Sequence, residues 1–365
     1  MKKKILFILH IPPPVHGSSV VGLQIKSSFT INDEFNCRYI NLGTSNSIDE
    51  IGKQGFVKLF RFASIWFSVL RQLLFFRPEL CYFAITAKGV AFYKDASIVF
   101  LVKIFGVNLV YHFHNKGVAT KQDNWFDNLL YQFVFKHSDV VLLSKYLYAD
   151  IKKYVSKERV YYCPNGISDL EGDKRVANRN DDKSIVKILF LSNLIETKGV
   201  YVLLQACKIL NDKGVLFHCT FVGGIGDVSE KQFCDRTQLL ALENRVVYLG
   251  EKHGIEKQAE FEKTDIFVFP TFFETFGIVN LEAMQFSLPI VSTFEGGIPD
   301  IVEDGVTGFL VQQKDTQALA DKLEILINNT ELRCQMGTAG RAKYEKEFTS
   351  EQFEKKMLQI LKTTI

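Results

Sequence analysis

Several features that identify common classes of protein are missing from this sequence of 365 residues. No run of about 18 uninterrupted apolar residues occurs, so nothing predicts a membrane-spanning helix. The seven cysteines form no Cys-x-x-Cys pair and leave an odd one over, which favours reduced core residues over a disulfide framework or a zinc site. The absence of Gly-x-Gly-x-x-Gly argues against a nicotinamide dinucleotide. A net charge of +3 is too small to indicate nucleic-acid binding.

The amino-terminal segment MKKKILFILHIPPP places basic residues before an apolar run, as secretory signals do. That run covers only residues 5–9 and ends in prolines, so it is too short for a signal peptide. We expect the first β-strand at residues 4–9. Together with the scattered cysteines, this predicts a cytoplasmic protein.

Apolar runs of strand length alternate with helical segments along the chain, which predicts an α/β fold of doubly wound parallel sheets. The length allows two domains, each with its own core. Residues 169–184 contain almost no apolar side chain and are predicted to link them. The predicted limits are 1–168 for the first domain, 186–345 for the second, and 346–365 for a last amphipathic helix.

Residues 265–308 show the clearest order of elements: a buried strand, a loop, a helix, a second strand and a glycine loop. Ligands of open α/β sheets lie where such loops leave the carboxyl ends of the strands. The N–H groups of Phe276, Gly277 and Ile278 open the predicted helix, where unpaired donors favour a phosphate. Glu274 and Glu282 could both reach one ligand. Spacing alone favours the simpler interpretation, two surface residues on separate elements.

This stretch resembles the carboxyl-terminal half of the glycosyltransferases of family 4. The family pattern is Glu, seven residues, Glu, followed by Ala-Met, Leu-Pro, Gly-Gly-Ile-Pro-Glu and Asp-Gly-x-Thr-Gly-x-Leu-Val. The matching residues here are Glu274 and Glu282, Ala283-Met284, Leu288-Pro289, Gly296-Gly297-Ile298-Pro299-Asp300 and Asp304-Gly305-Val306-Thr307-Gly308-Phe309-Leu310-Val311. Phe286-Ser287 and Asp300 depart from the pattern, and neither departure touches the two carboxylates.

The resemblance implies the GT-B fold, two Rossmann-like domains facing across a cleft, with the acceptor on the first and a nucleotide sugar on the second. The residues expected to line the cleft are Gly17, His114, Lys198, Glu274 and Glu282. The resemblance implies three catalytic residues: Glu274 near the reacting carbon, His114 on the transferred sugar, and Lys198 on the diphosphate. Glu282 would hold the ribose.

Residues 192–199, SNLIETKG, resemble the family segment Gly-Arg-Leu-x-x-x-Lys-Gly, whose Arg and Lys bind the diphosphate. Lys198 and Gly199 match, whereas Asn193 stands at the Arg position, so one of the two cations is missing. Lys252, in a later loop, could replace it. The complete set of donor-binding residues predicted is Gly17, Asn193, Lys198, Phe276, Gly277, Ile278 and Glu282.

No Asp-x-Asp triplet occurs, the motif with which metal-dependent glycosyltransferases of the other major fold hold a divalent ion. We therefore expect no metal and no cofactor in the chemistry, because cationic side chains and helix N-termini would offset the phosphate charge. The implied reaction is retaining, with the leaving diphosphate helping to deprotonate the incoming hydroxyl. Ser144, after another predicted strand, is interpreted as a helix N-cap.

Residues 51–78 contain no acidic residue and are otherwise mainly apolar and basic. Basic and polar side chains recur in them at helical spacing, at Lys58, Arg61, Ser64, Ser68, Arg71 and Gln72. This combination predicts a helix at residues 55–77 that lies on an anionic membrane surface. The alternative is a long helix packed on the sheet with a solvated basic stripe.

Taken together, the sequence predicts a retaining glycosyltransferase, peripheral to the inner face of a membrane. It would move a sugar from a nucleotide-diphosphate sugar to a saccharide or lipid-linked saccharide acceptor in cell-surface polysaccharide biosynthesis. Two alternatives remain. One is a nucleotide-sugar epimerase of the same architecture, and the other is a catalytically silent nucleotide-sugar-binding subunit, which is considered because Asn193 replaces the expected Arg.

Overall fold

The computed structural model describes residues 1–13, 16–43, 56–170 and 185–365, with side chains from residue 60 onward in the third segment. It divides into two compact units. Unit 1 comprises Met1–Gly166 and Ser350–Ile365, and unit 2 comprises Ile167–Thr349. The division therefore follows the Pro-Asn-Gly segment at 164–166, and the predicted linker at 169–184 lies almost entirely outside the described residues.

Unit 1 is built on a parallel sheet of six strands in the order β2-β1-β3-β4-β5-β6. Its elements in chain order are β1 (Lys4–Leu9), α1 (Gly17–Ser27), α2 (Phe29–Glu34), β2 (Asn36–Asn41), α3 (Phe56–Arg71) with a π-helical turn (Gln72–Phe76), β3 (Leu80–Phe83), α4 (Gly89–Ile104), β4 (Asn108–Phe113), α5 (Trp125–Phe135), β5 (Asp139–Leu142), α6 (Tyr148–Ile151) and β6 (Val160–Tyr162). β1 and β3 are almost wholly buried, as expected of strands covered by helices on both faces.

Unit 2 repeats the plan, with six parallel strands in the order β12-β11-β10-β7-β8-β9. Its elements are β7 (Val186–Leu191), α7 (Val200–Asp212), β8 (Phe217–Val222), α8 (Glu230–Leu239), β9 (Val246–Tyr248), α9 (Gly254–Glu262), β10 (Ile266–Phe269), α10 (Ile278–Gln285), β11 (Ile290–Thr293), α11 (Ile298–Ile301), β12 (Gly308–Val311), α12 (Thr316–Asn328) and α13 (Thr330–Glu347).

The last helix, α14 (Ser350–Thr364), belongs to unit 1 rather than to the unit that precedes it in sequence. Phe353, Met357 and Leu361 recur every four residues, so they share one face of the helix. All three are buried in the same apolar cluster as Ile5 and Phe7 of β1. Burial of this face stabilises the return of the chain to the first sheet.

In each sheet the strand order reverses once along the chain. The reversal lies between β1 and β3 in unit 1, and between β7 and β10 in unit 2. Loops that leave neighbouring strands at such a point run in opposite directions and leave a crevice at the carboxyl edge of the sheet. A binding site is therefore expected at the loops after these four strands.

The predicted strands are present, with limits that differ from the expected ones by at most two residues at either end. β12 was not predicted as a strand, since its residues had been read only as the tail of the family motif. Within the described residues, no helix is long and apolar enough to cross a membrane.

Candidate active site

A tight turn places Lys198 at the carboxyl edge of the second sheet. The 3-10 turn Glu196–Lys198 follows β7 and ends at Gly199, whose φ is 90°. A Cβ on Gly199 would lie 2.2 Å from the backbone oxygen of Pro270, directly after β10. Only glycine combines this left-handed conformation with so close an approach. The turn after β7 is thereby held against the loop after β10.

That loop carries Glu274, and its side chain meets Lys198. Nζ of Lys198 lies 2.8 Å from Oε2 of Glu274, with the two side chains 22% and 19% exposed. The same ammonium donates to the backbone oxygen of Phe273 at 3.3 Å. Partial burial and direct hydrogen bonding make such a pair stronger than a fully exposed one.

The other oxygen of Glu274 binds backbone donors ahead of α10. Oε1 accepts from the N–H of Thr275 at 2.8 Å and of Phe276 at 3.3 Å. Gly277 is the N-cap of α10 and Ile278 is its first residue. The carboxylate therefore lies between an ammonium group and backbone N–H groups, a set of donors that also suits phosphate oxygens.

Glu282 is in a separate contact on α10. Its Oε1 lies 2.8 Å from Nζ of Lys257 on α9, and the two side chains are 25% and 29% exposed respectively. The structure thus brings Lys198, Glu274 and Phe276 into one group and gives Glu282 a partner of its own. Lys257 was missed by sequence reasoning, because nothing local signals that α9 and α10 place these two side chains together.

Asn193, at the position of the missing Arg, ties two loops together. Its Oδ1 accepts from the N–H of Gly224 at 3.0 Å, which joins the loops after β7 and β8. Lys252, the suggested replacement, is bonded to the buried carboxylate of Glu260 at 2.9 Å, and Lys263 lies 3.3 Å from the same oxygen. The ammonium of Lys252 is therefore already paired with a carboxylate.

In unit 1, histidines collect at the carboxyl edge of the sheet. His112 lies in β4 and His114 directly follows that strand, with ring centres 4.2 Å apart. His10 follows β1, and its ring centre is 5.5 Å from that of His16. Gly17 is the first residue of α1, next to His16. His114 and Gly17 therefore follow β4 and β1, the two strands that flank β3.

His16 is the N-cap of α1, a role that the sequence did not predict. Its ring Nδ1 accepts from the N–H of Ser19 at 3.3 Å, and Ser19 Oγ in turn accepts from the N–H of His16 at 2.9 Å. This reciprocal pair is a capping box with histidine at the N-cap. The N-cap interpretation of Ser144 is confirmed, since its Oγ accepts from the N–H of Tyr146 at 3.1 Å.

Burial keeps these rings neutral. It lowers the pKa of His114 to about 3, with the charges of His10 and His16 acting in the same direction. Burial, followed by repulsion from His16, lowers the pKa of His10 to about 4. Near neutral pH each ring can donate and accept hydrogen bonds without carrying charge. Nδ1 of His114 is buried without a hydrogen-bond partner among the described residues.

The sequence of unit 2 also matches a known family. The family model described as "Glycosyl transferases group 1" matches residues 171–343. This segment is similar to that family, and the match covers just under half of the chain. Glu274, Glu282 and Lys198 all lie inside it. Among the described residues, no three His, Cys, Asp or Glu side chains lie together in a way that could hold a metal ion.

Several curated relatives are named as glycosyltransferases of capsular polysaccharide, colanic acid or amylovoran biosynthesis. The capsular polysaccharide biosynthesis glycosyltransferase CapM of Staphylococcus aureus is 33% identical over 162 residues, 44% of this chain and 42% of CapM. The chain spans about half the length of the curated relatives it matches.

Solved structures resemble the whole chain. The lipopolysaccharide outer core galactosyltransferase WaaB superposes with a TM-score of 0.77 at 15% identity, over 99% of this chain and 100% of WaaB. HepE of Anabaena, in complex with UDP and glucose, gives 0.71 at 18% identity, over 99% of each chain. At these identities the likeness shows the fold. It confirms the predicted GT-B fold with two Rossmann-like sheets.

Proposed function

We propose that this protein is a retaining glycosyltransferase that uses a nucleoside-diphosphate sugar. Its acceptor would be a saccharide or lipid-linked saccharide in cell-surface polysaccharide assembly. The contact of Lys198 with Glu274 at the N-terminus of α10 supports the proposal most directly, because it joins a cation, a carboxylate and backbone donors at the switch point of the sheet. The complexes of HepE with UDP and with UDP-glucose agree with a donor of this class.

Donor binding would exchange partners within this group. Phosphate oxygens would replace the carboxylate of Glu274 as the acceptor of the hydrogen bonds that Lys198 and the N–H of Phe276 donate. The released carboxylate could then accept hydrogen bonds from hydroxyls of the sugar. Lys198 would stabilise the diphosphate as it gains charge on leaving. No step in this scheme needs a metal.

Glu282 and His114 take the roles that the family resemblance implies. Glu282, held by Lys257, would accept hydrogen bonds from the ribose in the ground state and the transition state alike. His114 would contact the transferred sugar through its neutral ring, because its lowered pKa keeps it uncharged at neutral pH.

The proposal is tested by measuring nucleotide release from UDP-, GDP- and ADP-sugars, each with and without membrane extract and with and without EDTA. A glycosyltransferase of this kind releases nucleotide in an extract-dependent way and keeps its activity in EDTA. A changed sugar without extract indicates an epimerase instead. Donor binding with no release under any condition indicates a silent binding subunit.

We further propose that α3 and its π-helical turn contact an anionic membrane. Ile65, Val69 and Leu73 are buried against unit 1, whereas Phe60, Phe67 and Phe75 are 79%, 64% and 80% exposed. The outward surface also carries Ser64, Ser68 and Arg71, so the exposed aromatic rings lie among polar and basic side chains. Aromatic rings beside arginine suit the interface of an anionic bilayer.

A further inference from the structure

A second carboxylate, outside the family pattern of paired glutamates, lies behind the loop that carries Glu274. Glu295 follows β11, the strand next to β10, and its side chain is 6% exposed. Its Oε1 accepts from the backbone N–H of Glu274 at 2.9 Å, and its Oε2 accepts from Nε2 of Gln313. A buried carboxylate loses much hydration, so it is retained where hydrogen bonds replace that hydration.

The loops after β10 and β11 are also joined beside this bond. The N–H of Gly297 donates to the backbone oxygen of Thr275 at 2.8 Å. Gly296 has a φ of 53°, and a Cβ on it would lie 2.3 Å from the backbone oxygen of Glu274. The N–H of Glu274 is therefore bonded to Glu295, and its carbonyl lies close against Gly296.

Three consecutive backbone N–H groups are bound to carboxylates in this loop. The side chain of Glu295 accepts from the N–H of Glu274, and the side chain of Glu274 accepts from the N–H groups of Thr275 and Phe276. The first of these bonds sets the position of the Glu274 backbone, and the side chain of Glu274 then reaches both Lys198 and the start of α10. An oxygen of Glu295 at this position therefore holds the loop through its hydrogen bond to the N–H of Glu274.

We propose that Glu295 is the positioning residue for Glu274, and that through the loop it sets the turnover of the sugar donor without contacting the donor. This inference rests on the proposed function, in which Glu274 contacts the reacting sugar. A displacement of about 1 Å in such a group can reduce turnover about 100-fold. Donor affinity would change little, because Lys198 and the helix N-terminus remain in place.

The test compares Glu295→Ala, Glu295→Asp and Glu295→Gln. The shorter aspartate keeps the charge but cannot span the 2.9 Å bond without moving the loop. Glutamine keeps the accepting oxygen, and the amide of Gln313 can turn to donate or accept. Asp265→Ala is the matched control. The carboxylate of Asp265 also accepts a hydrogen bond from a backbone N–H, that of Lys187 at 2.8 Å, but it lies at the opposite edge of the same sheet.

The first readout is hydrogen exchange of the amides at residues 274–276, which needs no substrate. We expect exchange to rise at least tenfold in the Ala and Asp variants and to stay near wild type in the Gln variant and in Asp265→Ala. Unchanged exchange at these amides in the Asp variant would overturn the proposal, even if the Ala variant failed to fold.

The second readout is turnover of the sugar nucleotide selected by the donor panel, with affinity for its nucleoside diphosphate measured by calorimetry. We expect kcat to fall at least tenfold in the Ala and Asp variants, with affinity changed less than threefold and turnover largely restored in the Gln variant. In a Glu274→Gln background, Glu295→Ala should add no further loss, because residues that act as a unit are not additive.

Equal losses in both backgrounds would show that Glu295 acts independently of Glu274 and would overturn the proposal. Wild-type turnover in Glu274→Gln alone would instead refute the assigned function of the site. The exchange of residues 274–276 would still decide whether Glu295 holds the loop.

Discussion

Replacing Gly199 by alanine should displace Lys198 and weaken nucleotide binding. Gly199 has a φ of 90°, and a Cβ there would lie 2.2 Å from the backbone oxygen of Pro270. The left-handed conformation alone costs a residue with a side chain about 1–2 kcal/mol. The contact with a carbonyl oxygen adds to that, because backbone at the end of a buried strand cannot rotate away as a side chain can. We expect a total of about 3–5 kcal/mol.

Gly214→Ala is the matched control. Gly214 has a φ of 72° but nothing within 4 Å of its Cβ position, so this variant carries the conformational cost without the contact. By thermal unfolding, Gly199→Ala should lower the midpoint by roughly 6–15 °C and Gly214→Ala by only a few degrees. Calorimetry should show affinity for the nucleoside diphosphate falling about tenfold or more in Gly199→Ala alone. If both variants unfold alike and bind nucleotide alike, the contact with Pro270 does not position Lys198.

Two further predictions concern unit 1. Because the pKa values of His10 and His114 in the folded protein are lowered to about 4 and about 3, the unfolded chain binds more protons below pH 6.5, and the free energy of unfolding should fall on acidification by about 1.4 kcal/mol per pH unit for each ring. Urea unfolding between pH 6.5 and 4.5 should show a smaller fall in His114→Asn than in the wild type, and an equal fall would count against the assignment. Changing Lys58, Arg61 and Arg71 to glutamate should lower the affinity for anionic vesicles, measured by co-sedimentation, at least 100-fold, at about 1 kcal/mol per basic residue. The same charge reversal at the exposed Lys152, Lys157 and Lys355 should have little effect, and equal binding by both triple variants would refute the membrane surface.

The sequence was sufficient for the elements of the fold because their signals are local. Strand β1 has the predicted limits, Lys4–Leu9, because lysines and a histidine bound the apolar run and so define where the strand begins and ends. The meeting of Lys198 and Glu274 was also predictable, since each follows a strand of one parallel sheet and the carboxyl ends of such strands share an edge.

The polar partners of the site were not predictable, because they are chosen by contacts between distant segments. Glu295 is 21 residues beyond Glu274 and meets its N–H only because β10 and β11 are neighbours. Lys257 meets Glu282 only through the packing of α9 beside α10. The outward aromatic rings of α3 were missed for a similar reason: periodicity identifies an apolar helix but not which of its apolar side chains the sheet covers.

The central claim is that Glu274 acts on the reacting sugar and is more than a structural partner of Lys198. The most direct test is Glu274→Gln, which keeps the size of the side chain and one accepting oxygen but removes the charge. Turnover of the donor and affinity for its nucleoside diphosphate should be measured on the same preparation. The account predicts a loss of about 100-fold to 1,000-fold in kcat, the range observed when a group that stabilises transition-state charge is removed, with affinity nearly unchanged. Turnover equal to that of the wild type would contradict it.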